Sequence, residues 1–362
     1  MIVHVSTGSS YDAGGVALVS RLINRSLADY SEKTSLPYHI LDLGTPHPHL
    51  TDPYASFFSG SKIGLTMAMY RWHVARPDSV FVLSHLGLAR AYALLPGAWQ
   101  HPSALILYGI DAWKTMTGLR KRILDDVDLC LSISQFTVDL AHSYNPDFPE
   151  TKILPLTLED RTPQDEVDPA LLEEVGEDFL LIVGRMAATE QYKGHDQLIE
   201  AMPIILQKHP QTRLVIAGKG DDMPRLQEKA ASLGVAQNVI FTGFISEATL
   251  DALYTRCRAL VMPSTREGFG LVYLEAMTRK RPCIALKNSA AQEVVADGET
   301  GILIDEQSAE AIAEAALTLL KDDALCQRLG ETGYQRYHNT FSWPMFNARF
   351  QGYLDELLSA RR

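Results

Sequence analysis

The chain has 362 residues, 46% of them hydrophobic and 21% charged, a globular balance long enough for two cores of ordinary domain size. Its 33 Lys and Arg are outweighed by 44 Asp and Glu, a formal net charge of −11. That balance excludes the concentrated basic face of a nucleic-acid binder, but leaves room for a local basic pocket around a diphosphate. Four scattered cysteines, Cys130, Cys257, Cys283 and Cys326, show neither C-x-x-C nor zinc spacing and read as reduced thiols.

Met1–Val5 lacks the charged and apolar regions of a signal peptide, and no run approaches the roughly 20 apolar residues that span a bilayer. The expectation is a soluble cytoplasmic protein, with peripheral docking at the inner face of a membrane left open. Short apolar runs alternate with longer helical patterns. Ile2–Val5, Tyr38–Leu43, Ser79–Leu83, Ala104–Leu107 and Leu129–Ile133 read as buried parallel strands of the first half. Leu180–Val183, Leu214–Ala217, Val239–Phe241, Ala259–Met262 and Cys283–Ala285 do so in the second. Strands fed by helical crossovers make doubly wound sheets. Leu158–Glu177, rich in Asp, Glu and Pro and containing Pro163 and Pro169, reads as a linker plus a short helix. The predicted organisation is α/β, with two Rossmann-like domains whose ligand lies in a cleft facing the strands' carboxyl ends.

Several constellations could carry chemistry. After the first strand, Asp12-Ala13-Gly14-Gly15 opens a helix on a glycine pair, which suits an anion at the helix N-terminus. It is not G-x-G-x-x-G, so a nicotinamide-binding reading is weak. His47 and His49 flank a proline and lack metal-ligand spacing, and Asp126-Val127-Asp128 reads as a helix end rather than a metal pair. Gly184-Arg185, followed by Gln191-Tyr192-Lys193-Gly194, puts two cations at the mouth of one strand. Arg offers a fork to phosphate oxygens and Lys a point charge; taken singly, each also reads as an ordinary surface cation. The helix beyond carries Leu198, Met202, Ile205 and Leu206 on one stripe and ends at His209-Pro210. Gly218-Lys219-Gly220 permits a tight loop near a nucleotide base, or simply a structural turn.

The strongest signal is Glu267-Gly268-Phe269-Gly270-Leu271 through Glu275, two carboxylates separated by seven residues. Glycines after the first let backbone N–H groups approach an anion. The helix would carry Glu275 about two turns in. On spacing alone the pair is equally compatible with unrelated glutamates before and within a helix. G-x-S-x-G and Cys/His signatures are absent, so a nucleophilic Ser or Cys has no support.

At these positions the chain resembles glycosyltransferase family 4, the retaining GT-B enzymes, clearly over about 180–345 and more weakly over 1–158. Glu267 and Glu275 match the family's E-x7-E motif, and Arg185 and Lys193 its diphosphate-binding cations. Gly14, Gly15, Gly184, Gly218, Lys219, Gly268, Phe269, Gly270 and Leu271 fall on its donor-binding loops. Ala291–Val295 with Asp297–Gly301 resembles its G-x-P-E-x-V…D-G-x-T-G segment, with Gln292 in place of proline, and Ser132–Thr137 its strand-end segment. The resemblance implies an acceptor domain over 1–158, a linker over 159–176 and a donor domain over 177–342. A helix over 343–362 would return to the first domain, with Phe346, Phe350, Tyr353 and Leu357 on one face. Many relatives carry His-Gly-x-Asp/Glu on the N-domain side of the sugar; here the segment is Tyr108-Gly109-Ile110-Asp111. Tyr108 cannot do a histidine's proton work near neutral pH. His85 is a candidate replacement, its other reading being a hydrogen-bonded structural histidine, and Asp111 a candidate acceptor contact.

The implied reaction moves a sugar from a nucleotide-diphosphate sugar to a hydroxyl acceptor with retention, with Arg185, Lys193 and Glu267 in catalytic roles and Glu275 on the ribose. No metal or cofactor is implied beyond that co-substrate, and no nucleic acid. The rivals are a nucleotide-sugar epimerase of the same fold and a catalytically silent sugar-binding module. Phe57-Phe58 and Ile63–Trp72 with Lys62, Arg71 and Arg76 suit either a core helix with a basic flank or a lipid-facing surface.

Overall fold

A computed structural model describes residues 1–10, 14–46, 52–97, 101–160 and 165–359. Asp12, Ala13, His47, His49 and Pro163 lie outside the described residues. The chain divides into two compact units, Met1–Glu159 with Trp343–Arg362, and Asp160–Ser342.

The first unit is built on seven strands: β1 (Ile2–Ser6), β2 (Tyr38–Asp42), β3 (Ala55–Phe57), β4 (Val80–Leu83), β5 (Ser103–Leu107), β6 (Leu129–Ser132) and β7 (Thr151–Ile153). They lie in the order β3-β2-β1-β4-β5-β6-β7, every pair parallel. All five residues of β1 are buried, because a parallel sheet carries helices on both faces and its central strands contact solvent on neither. The three-residue edge strands β3 and β7 are absent from the sequence reading. Ala-Ser-Phe and Thr-Lys-Ile are half-buried throughout, too short and too mixed to show a period.

The helix Trp343–Ser359 belongs to this unit. It buries Phe346, Phe350, Leu354 and Leu357. Leu354 therefore takes the place in the stripe expected of Tyr353, whose phenol instead donates to Ile153 O at 2.9 Å. Tyr30 Oη donates to Asp355 Oδ1 at 2.6 Å, and Arg25 stacks 4.0 Å from the Trp343 ring.

The second unit has six strands: β8 (Leu180–Val183), β9 (Leu214–Ala217), β10 (Val239–Gly243), β11 (Ala259–Met262), β12 (Cys283–Leu286) and β13 (Gly301–Ile304). Their order is β10-β9-β8-β11-β12-β13, again all parallel. β13 was hidden in sequence behind the Asp297–Gly301 turn, where Leu303 N bonds Asp297 Oδ1 at 2.9 Å. Residues 165–176, expected as linker plus short helix, fold against this unit. Asp168 caps the helix Pro169–Val175, while its own N–H bonds Thr249 Oγ1 at 2.9 Å.

The helix His195–Lys208 follows Lys193-Gly194 and buries Leu198, Ile199, Ala201, Met202 and Ile205. Its first turn is pinned by charge. Arg225 Nη1 and Nη2 each reach an oxygen of Asp196 at 2.7 Å, and Lys229 Nζ reaches Oδ1 at 2.7 Å. Hydrogen bonds from Arg225 lead the causes that hold the Asp196 carboxyl down at about 2, against an ordinary 3.8. A depressed carboxyl stabilises the fold above its unfolded value and loses that contribution as pH falls through the folded value. Asp196→Asn should therefore flatten the acid limb of stability between pH about 4 and about 2. The loss above pH about 5 should be about 1 kcal/mol after allowance for solvent screening, measurable by urea unfolding across that range.

Candidate functional site

In both sheets the strand order reverses once, between β1 and β4 in the first unit and between β8 and β11 in the second. Crossovers leave the two strands at a reversal in opposite directions, which opens a crevice at their carboxyl ends. Gly14, Gly15, His85, Gly184, Arg185 and Glu267 follow the strands at these two reversals, whereas Gly218 and Lys219 follow the adjacent β9 and Tyr108 and Asp111 follow β5.

In the second unit, Gly184-Arg185-Met186 follows β8, Gly218–Asp222 follows β9, and Pro263–Gly270 follows β11. Backbone bonds stitch the three loops together. Met186 N donates to Lys219 O at 3.1 Å, Asp222 N to Met186 O at 2.9 Å, and Thr265 N to Tyr192 O at 3.0 Å. Gln307 Nε2 bridges Tyr192 O (2.9 Å) and Pro263 O (2.7 Å). The β8 and β9 loops approach so closely that a Cβ on Gly218, at φ +139°, would stand 2.1 Å from Gly184 O. That position therefore admits only glycine.

The two cations share one anion. Arg185 and Lys193 both pair with Glu190, the first through Oε1 and the second at 2.6 Å through Oε2. The turn Ala188–Lys193 folds Glu190 back between them. Arg185 is 75% exposed, so its guanidinium can swing, whereas Lys193 is 14% exposed and fixed. Glu190 was not singled out in sequence; its signal is an acid three residues before Lys193.

Glu267 lies beyond Lys193. Burial pushes its carboxyl up, while the neighbouring Lys193 charge and hydrogen bonds from the Phe269 and Gly268 N–H groups oppose the shift. Phe269, expected among donor-binding residues, turns its ring into the core, edge-on to Phe341 at 5.9 Å; it offers the site its backbone N–H. Gly270 has φ +92°, and a Cβ there would meet the Tyr273 ring at 2.3 Å. Leu271 opens the helix Leu271–Thr278, which makes Glu275 little more than one turn in, not two. Burial also pushes the Glu275 carboxyl up, opposed by the Tyr254 hydroxyl, which donates to Oε2 at 2.5 Å. Tyr254 lies on the helix Glu247–Arg256, 21 residues away in sequence, and no local pattern marks it. Ser264 Oγ is buried with no partner among the described residues. Lys219 Nζ stands 5.0 Å over the exposed Phe244 ring.

In the first unit, Gly14 and Gly15 open the helix Gly14–Thr34. The loop before it is held by Arg21, which donates to Ser9 O and Ser10 O (3.2 and 3.0 Å) and pairs with Glu159 at 2.7 Å. His85, after β4, caps the helix Leu86–Tyr92 by accepting from Gly87 N through Nδ1 at 2.8 Å. Its ring faces Tyr108 at 6.2 Å between centroids. Asp111 Oδ1 accepts from the Tyr108 and Gly109 N–H groups (3.0 and 2.9 Å). Burial raises the Asp111 carboxyl, with His85 the leading opposing influence. Asp111 Oδ2, Tyr108 Oη and Trp113 Nε1 are buried without partners among the described residues, one acceptor and two groups able to donate. Trp113 is new to the set; nothing in sequence separates it from a core aromatic.

Asp126-Val127-Asp128 is structural. The helix Leu119–Asp126 ends there, and Asp128 Oδ2 accepts from Ser103 N at 2.9 Å. All four cysteines are buried, and burial pushes Cys130 and Cys257 up to about 12, far from a nucleophile's range. A groove of about 920 Å³ along the open edge of β10, lined by Asp168, Leu171, Phe241 and Ser246 among others, contains none of these site residues.

Residues 163–336 match the family described as glycosyl transferases group 1. The GDP-mannose-dependent alpha-(1-6)-phosphatidylinositol monomannoside mannosyltransferase of Mycolicibacterium smegmatis is 33% identical over 255 residues, 68% of this chain and 65% of that protein. A glycogen synthase of Mycobacterium tuberculosis is 35% identical over 164 residues, 45% of this chain and 39% of that protein. The chain thus spans less than two thirds of the length of these relatives. Among solved structures, Anabaena Alr3699/HepE in complex with UDP superposes with a TM-score of 0.77 at 18% identity, covering 98% of this chain and 99% of that one. Sucrose-phosphate synthase from Thermosynechococcus elongatus does so with 0.77 at 19%, covering 99% and 100%. At those identities the likeness shows the fold, which is GT-B.

If Glu190 occupies the place of an incoming anion, Glu190→Gln should tighten binding of inorganic pyrophosphate by about fivefold, the worth of one partly exposed charge contact, in calorimetry. Unchanged or weaker binding would mean that Glu190 only orders the two cations.

Proposed function

Through residues 163–336 the chain belongs to glycosyl transferases group 1, and we propose that it transfers a sugar from a nucleotide-diphosphate sugar to a hydroxyl acceptor with retention and without a metal. The observation that carries this reading is the convergence of Arg185, Lys193 and Glu267 on one strand-order reversal, with the two cations joined through a single carboxylate. A departing diphosphate needs positive charge already in place, because preorganised donors need no reorganisation as charge develops. Arg185 and Lys193 supply it once Glu190 yields to the more highly charged ligand.

Glu267 then accepts from hydroxyls of the donor sugar. Its backbone N–H contacts hold the carboxylate in one orientation. Glu275, steadied by Tyr254, accepts from the ribose. Gly218 and Gly220 with Lys219 border the base, and the Gly268–Gly270 backbone faces the phosphates, where helix N-termini favour anions. Retention follows if the acceptor hydroxyl attacks on the face from which the diphosphate leaves and passes its proton to a donor phosphate oxygen. No protein nucleophile is required. On the first unit, Asp111, Tyr108 and Trp113 present the orphaned atoms that an acceptor hydroxyl would satisfy. The named mannosyltransferase relative supports a hexose as the transferred sugar and glycoconjugate synthesis as the setting.

Arg185→Ala and Lys193→Ala should each slow nucleoside-diphosphate release from the accepted donor by roughly 10²–10³-fold, the usual cost of one charge-stabilising donor. Near-normal release in both would remove them from the mechanism. The same assay in EDTA should run at the unchelated rate.

A further inference from the structure

The helix Lys62–Ala75 in the first unit is apolar on two opposite sides. One side carries Leu65 and Met69, both buried in the core. A helix that is apolar all round is normally covered all round; this one is not. Ile63 is 77% exposed, Met67 55%, Tyr70 48% and Val74 61%. At about 100° per residue these four fall within an arc of about 60°, pointing away from Leu65 and Met69. The stripe extends for roughly 16 Å along the axis. Nearby, His73 Nε2 bonds Pro96 O at 2.7 Å, and Leu94 of that neighbouring segment is exposed as well.

The charge around this stripe is opposite to that of the molecule. In a chain of net charge −11, residues 54–110 hold Lys62, Arg71, Arg76 and Arg90 against one acid, Asp78. Arg71 borders the apolar arc on one side, about 40° beyond Met67, and Lys62 opens the helix one residue before Ile63; both are exposed. Among the described residues no carboxylate pairs with any of the four. A row of large apolar side chains with cations at its start and along one border is the pattern of a helix lying in a lipid interface, apolar side down. A second copy docked through the same face would set this basic flank against itself, since a two-fold contact repeats one patch on both partners.

We propose that the face formed by Ile63, Met67, Tyr70 and Val74, with Lys62 and Arg71 beside it, docks this protein on an anionic phospholipid surface. The four side chains enter the headgroup boundary and the cations meet lipid phosphates. The inference is independent of the donor-site reading.

The test is flotation of the full chain with vesicles of pure phosphatidylcholine and with vesicles of equal parts phosphatidylcholine and phosphatidylglycerol. Binding should require the anionic lipid and weaken with added salt, which screens surface charge. The double variant Ile63→Glu, Met67→Glu should bind at least about tenfold more weakly, since it removes the burial of two apolar side chains. The pair Lys62→Glu, Arg71→Glu should lose the preference for phosphatidylglycerol. Both should keep the wild-type melting temperature, because all four positions are exposed, and the wild-type affinity for nucleoside diphosphate. Absence of wild-type binding, equal binding to both vesicle types, or undiminished binding by the apolar double variant would overturn the proposal. A concentration-dependent dimer abolished by that variant, without vesicle binding, would also overturn it and assign the face to a second copy.

Discussion

In a parallel sheet wound outward from its centre, the loops that leave the two central strands must turn to opposite sides, and the gap between them is the one opening that the covering helices do not close. The C-terminal unit depends on that constraint. Its first strand, β8, ends in Gly184-Arg185, and its fourth, β11, runs into the loop that carries Glu267. Residues far apart in sequence meet because the winding leaves them no other place at that end of the sheet. The same winding sets the glycine loop after β1 and His85 after β4 at the reversal of the first sheet.

Within the opening, electrostatics and backbone sterics act together. Two cations as close as Arg185 and Lys193 repel unless an anion lies between them, and Glu190 supplies it. Such a triad is suited to exchange: Arg185 is the exposed partner, while the largely covered Lys193 stands beside both Glu190 and Glu267. The loops that hold these groups come together only because Gly218 and Gly220 let backbone contact backbone. A Cβ on Gly220 would fall 1.8 Å from Met186 O. Burial raises the carboxyls of Glu267, Glu275 and Asp111 alike, opposed chiefly by the Lys193 charge at Glu267, the Tyr254 hydroxyl at Glu275 and His85 at Asp111.

The sheets were legible in sequence because their central strands are continuous apolar runs, and the site loops because glycines follow those runs. What was not legible had a physical reason in each case. β3 and β7 are edge strands of three residues, below the length at which a period shows. Glu190 and Tyr254 act through contacts that a turn and a separate helix create, and an acid in a turn or a tyrosine on a helix is unremarkable in sequence. Phe269 was legible as a motif position but not as a core ring, since motif spacing does not tell backbone from side-chain contributions. Trp113 and the orphaned atoms of Asp111 and Tyr108 are set by what the fold brings within hydrogen-bonding reach, which no local pattern records.

The central claim is that a nucleoside diphosphate binds on the loops after β8, β9 and β11. Hydrogen exchange of the full chain tests it most directly, with and without whichever of the uridine, guanosine, adenosine or thymidine diphosphates raises its melting temperature most. The account predicts slowed exchange concentrated in 184–194, 218–222 and 264–275. Protection confined to the groove along β10, or to the first unit alone, would contradict it.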